Sequence, residues 1–91
     1  MISALMTPTE RAIELARREK IKRKRMKITQ KEMAERTGIS LGSIKRFEQT
    51  GEISFVSLVK IADVLGEAVD FDNIFTTKVY NSIQEVIDEN R

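Results

Sequence analysis

The residues of this chain with most to offer chemically stand together in GISLGSIKRFEQTG, Gly38 to Gly51. Lys45 and Arg46 put two cations beside a first helical turn that carries almost no side chain at Gly42 and Ser43. A Gly inside a helix costs roughly 1 kcal/mol relative to Ala. Such a bare turn makes sense if the helix backbone must come close to another surface, and the neighbouring cations suit a surface that is anionic. The chemistry on offer is close, charge-assisted contact.

The composition agrees with that reading. The 91 residues include no Cys and no His, which removes disulfides, thiolate nucleophiles, imidazole bases and the commonest zinc ligands. Asp63, Glu67, Asp70 and Asp72 lie close in sequence but lack the loop spacing and central Gly of an EF-hand. No catalytic residue, metal or cofactor is expected, and the chain does not read as an enzyme. With 41% hydrophobic and 33% charged residues it suits one small soluble domain with a single modest core. No apolar run approaches the roughly 20 residues a membrane span needs, and the start MISALM lacks a basic n-region and a long h-region. A cytoplasmic protein without a membrane partner is the expectation.

The net charge of +2 conceals an asymmetry. Up to Gln49 there are thirteen basic and six acidic residues, +7; from Thr50 onward there are three and eight, −5. A basic half suited to polyanions precedes an acidic half that avoids them. The densest basic run is KIKRKRMK, Lys20 to Lys27, with six cations in eight residues. Three readings stay open for it: a solvated helix end, where cations complement the macrodipole, a phosphate-facing patch, or a targeting signal. If it neutralised about six phosphates, log K would fall with log salt at a slope near −5.

These residues need helices to position them, and the punctuation for helices is dense. Thr7-Pro8-Thr9-Glu10 combines an N-cap Thr, Pro at the first helical position and Glu at the third. A helix should begin at Pro8, carry a loose stripe of Ala12, Ile13, Leu15, Ala16 and Ile21, and end inside or just after the basic run. Thr29-Gln30-Lys31-Glu32 repeats the capping box and opens a second helix, stopped by Gly38. Ser40 can cap a third, ending at Gly51, with Ile44 and Phe47 on one face. Ser54 can cap a fourth, in which Leu58, Ile61, Ala62 and Leu65 follow i, i+3, i+4, i+7 before Gly66 closes it. DFDNIF reads as a short helical turn or a docking strand, and Ile83, Val86 and Ile87 form the narrow apolar stripe of a last helix too short to stand alone. The aromatics Phe47, Phe55, Phe71 and Phe75 read as core or docking residues. The fold class expected is all-α, a compact bundle of about five short helices. Its divisions are a flexible N-terminus over 1–6, a domain over 7–66 and a C-terminal extension over 67–91 for dimerisation or partner docking.

Counted from Gln30 as position one, small Ala34 falls at five, Gly38 at nine, and apolar Ile39, Ile44 and Phe47 at ten, fifteen and eighteen. Ala34 lets two helices approach, Gly38 permits a positive φ in a tight turn, and the three apolar residues lock the third helix in place. This is the spacing of a helix-turn-helix. TQKEMAERTGISLGSIKRFEQTG followed by SLVKIADVLG resembles the DNA-binding domain of the Cro and phage-repressor family, the XRE-type regulators, over about Arg23 to Gly66.

That resemblance implies a lambda-repressor-like domain that binds double-stranded DNA, with the helix from Ser40 to Gln49 entering the major groove by its N-terminal end. Its implied DNA contacts are Gln30, Lys31, Ser40, Leu41, Gly42, Ser43, Lys45 and Arg46. Arg46 would grip guanine with both arms, Leu41 a thymine methyl, Ser40 and Ser43 a phosphate or base edge, and Gln30 a phosphate while bracing the third helix. The family also often pairs an Arg six residues before the Thr of TQ with a Glu late in the third helix, which implies an internal ion pair of Arg23 and Glu48 here, with a phosphate as the alternative partner of Arg23. One departure is Lys22, where the family usually has an aliphatic residue, which leaves the register at the end of the first helix open by about one residue. Two roles follow from the resemblance. One is a transcriptional regulator, a repressor acting as a homodimer on a palindromic operator. The other is an antitoxin: RFEQTG with DFDNIF is similar to the small regulators that accompany HipA-type kinase toxins, bind and neutralise them, and autoregulate their operon.

Overall fold

The structure is a computed structural model, and it describes residues 5–77 and 87–90. Four α-helices follow one another: α1 Pro8–Arg25, α2 Gln30–Thr37, α3 Leu41–Thr50 and α4 Phe55–Val64. A 3-10 helix, Ala68–Asn73, comes next, and residues 87–89 form a helical turn. The all-α expectation is met: Asp70 to Asn73 of DFDNIF belong to the 3-10 helix, and Ile74 and Phe75 form a turn after it. Of the last expected helix, residues 83–86 lie outside the described residues, as do 1–4 of the N-terminal segment.

Each α-helix starts where a short polar side chain can satisfy free N–H groups. Thr7 Oγ1 accepts from Glu10 N at 3.1 Å while Glu10 Oε1 accepts from Thr7 N at 3.3 Å, a complete capping box. Thr29, Ser40 and Ser54 cap α2, α3 and α4 in turn. At Thr29 only the forward half forms: its hydroxyl accepts from Glu32 N at 3.0 Å, and Glu32 instead pairs with Arg36 at 3.1 Å.

Helix ends divide by residue type. Gly38 and Gly51 take the left-handed conformation, φ 75° and 79°, that closes α2 and α3. Gly51 has a second reason: a Cβ there would lie 2.7 Å from the carbonyl carbon of Ala12 and 2.9 Å from Ile13 N, so only glycine lets the end of α3 rest on the backbone of α1. α1 ends without glycine. Its bonds from Lys27 N to Lys24 O and from Ile28 N to Arg23 O make a Schellman end with Lys27 in the left-handed position, φ 59°. That conformation costs a β-carbon-bearing residue about 1 kcal/mol or more. Lys27→Gly is therefore expected to raise stability by about 0.5–1 kcal/mol, read as a higher urea midpoint at unchanged slope.

The core is formed by Ala16, Ile28, Met33, Ile39, Ile44, Phe47, Ile61 and Leu65. α3 packs on α1 and α2, and α4 packs on α2 and the 3-10 helix. Phe55 is largely exposed and meets Phe71 edge to face at 5.5 Å, which ties the 3-10 helix to α4. Phe75 is not a core residue; it is fully exposed. On α1 the expected stripe needs correction. Ile13 and Ile21 are exposed, and the buried line is Ala16, Glu19 and Arg23, so two ionisable residues occupy the inner face of the helix.

Candidate nucleic-acid interface

α3 is divided sharply between an inner and an outer face. Ile44 and Phe47 are 0% and 1% exposed, and burying them is worth about 1.5–3 kcal/mol each. That anchoring fixes which residues must face outward. Gly42, Ser43, Lys45 and Arg46 are exposed on this helix, with Ser40 exposed at its cap and Leu41 half-buried. Nothing lies within 4 Å of where a Cβ of Gly42 would be, so its bareness serves no internal packing. Ser40 Oγ accepts from Ser43 N at 3.1 Å and donates to Ser43 Oγ at 2.8 Å, so the two serines of the first turn hold each other. Lys31 is exposed on the first turn of α2, and Gln30 beside it is half-buried.

Behind this face lies a charged network. Arg23 of α1 donates from Nε to Glu48 Oε2 at 2.7 Å and from Nη2 to Oε1 at 2.8 Å, while its Nη1 reaches the Ile28 carbonyl at 2.8 Å. Gln30 Nε2 donates to Glu48 Oε1 at 3.0 Å. One carboxylate on α3 is thus held by α1 and by α2, and the bracing role of Gln30 is visible in this bond. The pair implied by Arg23 and Glu48 forms, and the register at Lys22 is settled: Arg23 points inward and Lys22 outward to Glu67 at 3.4 Å.

Glu19 was not anticipated. Its residue is 7% exposed, and as a carboxylate it finds no donor for either oxygen. Burial, followed by the adjacent Glu48 carboxylate, pushes its pKa up to about 8, against a smaller opposing pull from Arg23. In its protonated form it can donate a hydrogen bond to Glu48, which accepts. Glu48 itself is pushed up by burial, but the hydrogen bonds from Arg23, Glu19 and Gln30 outweigh this and hold it below its ordinary value. The signal for Glu19 was spacing alone, three residues after Ala16 and four before Arg23 on one helix face.

A pH dependence follows from these two opposite shifts. Because folded Glu19 holds its proton more tightly than the unfolded chain does, the stability it contributes is complete below about 4.5 and is lost as pH rises through about 8. Glu48 acts in the other direction and contributes above its ordinary pKa. Thermal melts from pH 6 to 9 should show a falling midpoint that Glu19→Gln flattens. A parent midpoint constant over that range would contradict the assignment.

The outer face contains a second unanticipated acid. Arg46 donates from Nε to Glu52 Oε2 at 3.0 Å and from Nη2 to the same oxygen. Both side chains are exposed, at 69% and 63%. Glu52 lies six residues after Arg46, across the turn at Gly51, where no helical spacing rule pairs them. The basic run also resolves into parts: Arg23 is buried, Lys22 is paired, and Lys20, Lys24, Arg25 and Lys27 are exposed. Six phosphate contacts from that run are therefore too many.

Two short capped helices joined through Gly38, the second held by its apolar side and bare on the other, define a helix-turn-helix. A family model described as Helix-turn-helix matches residues 20–71, more than half of the chain, and the protein belongs to this family of XRE-type DNA-binding regulators. No curated protein and no solved structure gives a significant match. The chain is accordingly a DNA-binding transcriptional regulator, of a family that is typically non-enzymatic. Among the described residues no helix is long and apolar enough to cross a membrane.

Proposed function

We propose that this protein is a repressor that binds as a homodimer to a near-palindromic operator, with α3 of each copy in successive major grooves about one helical turn apart. The observation that carries the reading is the outer face of α3, where Gly42, Ser43, Lys45 and Arg46 project from a helix whose other side is locked in the core. In this reading Arg46 grips guanine, Lys45 and Lys31 meet phosphates, Leu41 lies against a thymine methyl, and Ser40 and Ser43 present hydroxyls to the backbone or a base edge. Gln30 supports α3 through Glu48 and reaches phosphate with what remains of its amide. Selection of duplexes from a random pool, with the mass of the complex measured, tests both parts. Recovery of no preferred sequence would overturn base reading, and a one-to-one complex on the selected duplex would overturn the dimer.

Gly42 provides a test in which stability and binding move oppositely. Gly42→Ala should stabilise the domain by up to about 1 kcal/mol, because the position is helical and open. The same methyl should weaken binding to the selected duplex by holding the first turn of α3 off the groove. A variant that is more stable and binds equally well would show that the bare turn serves no approach.

A second role rests on the segment after α4. Val69, Ile74 and Phe75 are exposed large apolar residues there, and a cleft of about 490 Å³ runs between α1, α4 and the 3-10 helix, lined by Leu15, Leu58, Ile61 and Phe71. In the antitoxin reading the domain over 7–66 binds DNA and the extension over 67–91 docks a HipA-like kinase toxin or a second copy of the chain. A kinase-like reading frame beside this gene would favour the toxin, and its absence together with a dimer mediated by this extension would favour the simple repressor.

A further inference from the structure

Glu52 stands on the outer face with its carboxylate on the residue assigned to base reading, and it could either compete with DNA for Arg46 or hold Arg46 ready for it. The edge of the guanidinium that it uses decides between these. A guanidinium has two forks, one formed by Nε and Nη2 and one by Nη1 and Nη2. Glu52 Oε2 takes the first, through Nε at 3.0 Å and Nη2. The second fork, the end-on pair that spans the O6 and N7 acceptors of guanine, stays open, and Nη1 has no hydrogen-bond partner among the described residues.

The backbone keeps Glu52 where this requires. Thr50 Oγ1 donates to the Arg46 carbonyl at 2.8 Å, and Glu52 N donates to Thr50 Oγ1 at 3.2 Å. The turn at Gly51 between them rests on the α1 backbone at Ala12, where no other residue fits. The backbone of Glu52 is thus tied, through Thr50, to the backbone of the residue whose side chain its carboxylate holds, and to α1 through Gly51.

We infer that Glu52 is a positioning residue for DNA recognition: it fixes the Arg46 side chain by its Nε edge so that the open fork faces guanine. This rests on Arg46 being the base-reading residue. Holding a long cation before binding removes part of the rotamer entropy that would otherwise be lost on the DNA. It also sets a negative charge near the phosphates, so Glu52 should lower affinity for DNA in general while raising preference for the right sequence.

The test uses the full chain, a duplex recovered by selection with the parent protein, and a scrambled duplex of equal length. Glu52→Ala should lower the ratio of selected to scrambled binding by about two- to tenfold, the range expected for one side chain's ordering, while binding to the scrambled duplex stays equal or tightens. Glu52→Gln keeps an acceptor oxygen without the charge and should retain part of the ratio. In an Arg46→Ala background, Glu52→Ala should leave the ratio unchanged. An unchanged ratio in Glu52→Ala, or equal tightening on both duplexes in Glu52→Ala and Glu52→Gln, would overturn the inference and leave simple repulsion. An effect that persists without Arg46 would overturn it as well. If selection succeeds and Arg46→Ala lowers the ratio where Glu52→Ala does not, only the positioning role fails; if Arg46→Ala also leaves it unchanged, the base-reading assignment itself is lost.

Discussion

Arg23→Met is expected to cost the fold about 3–5 kcal/mol, the loss typical of removing one partner from a buried ion pair. Arg23 is 5% exposed, and all three of its donor edges are engaged, two with Glu48 and one with the Ile28 carbonyl. Without it, Glu48 and Glu19 are left as two buried acids in one site, and the carboxylate that ties α3 to α1 loses its cation. Glu48→Gln should cost less, because Glu19 can then ionise and face Arg23 in its place. The double variant Arg23→Met, Glu48→Leu should recover part of the single variant's loss, since the stranded charge goes with its partner. Urea unfolding of the three variants at pH 7 reads these differences. Equal losses in Arg23→Met and Glu48→Gln would mean that Glu19 does not substitute, and a loss below about 1 kcal/mol in Arg23→Met would place the pair with exposed ones.

The same cluster shows how far the chain could be read before its structure. The helix starts were legible because a cap is a local event: Thr7, Thr29, Ser40 and Ser54 each act within three residues of themselves. The inner face of α3 was legible because Ile44 and Phe47 are apolar at helical spacing, and the outer face followed from it. The bond between Arg23 and Glu48 came from resemblance to a family, for nothing in either residue's neighbourhood announces a partner 25 positions away. Glu19 was missed because acids are presumed exposed, and its burial depends on Arg23 and Glu48 being assembled first. Ile13 and Ile21 were misplaced for the complementary reason: apolar type outweighed the phase of the helix, which turns Ala16, Glu19 and Arg23 inward together. Glu52 was missed because its contact with Arg46 crosses a glycine turn, where the chain reverses and side-chain periodicity stops carrying information. Local signals fixed the scaffold of the interface, and the acids that tune it were set by tertiary contacts.

Arg46→Ala is expected to lower discrimination between the selected and scrambled duplexes by about 1–3 kcal/mol, roughly fivefold to 150-fold, with little change in stability. The side chain is 69% exposed and its one ion pair, with Glu52, is exposed as well, so the fold loses at most about 1 kcal/mol. The loss should be specific in kind. An arginine that contacts base edges contributes to the preference between sequences, whereas a lysine that meets phosphate contributes to all sequences alike. Lys45→Ala, one position earlier and also exposed, should therefore weaken binding to both duplexes by a similar factor and reduce the steepness of the salt dependence by about one. Comparing the two variants across a salt series separates base reading from phosphate contact in adjacent residues of one helix. If Arg46→Ala binds both duplexes as the parent does, or if it behaves as Lys45→Ala is expected to, then the outer face of α3 meets DNA without reading it, and specificity must come from the deformability of the duplex.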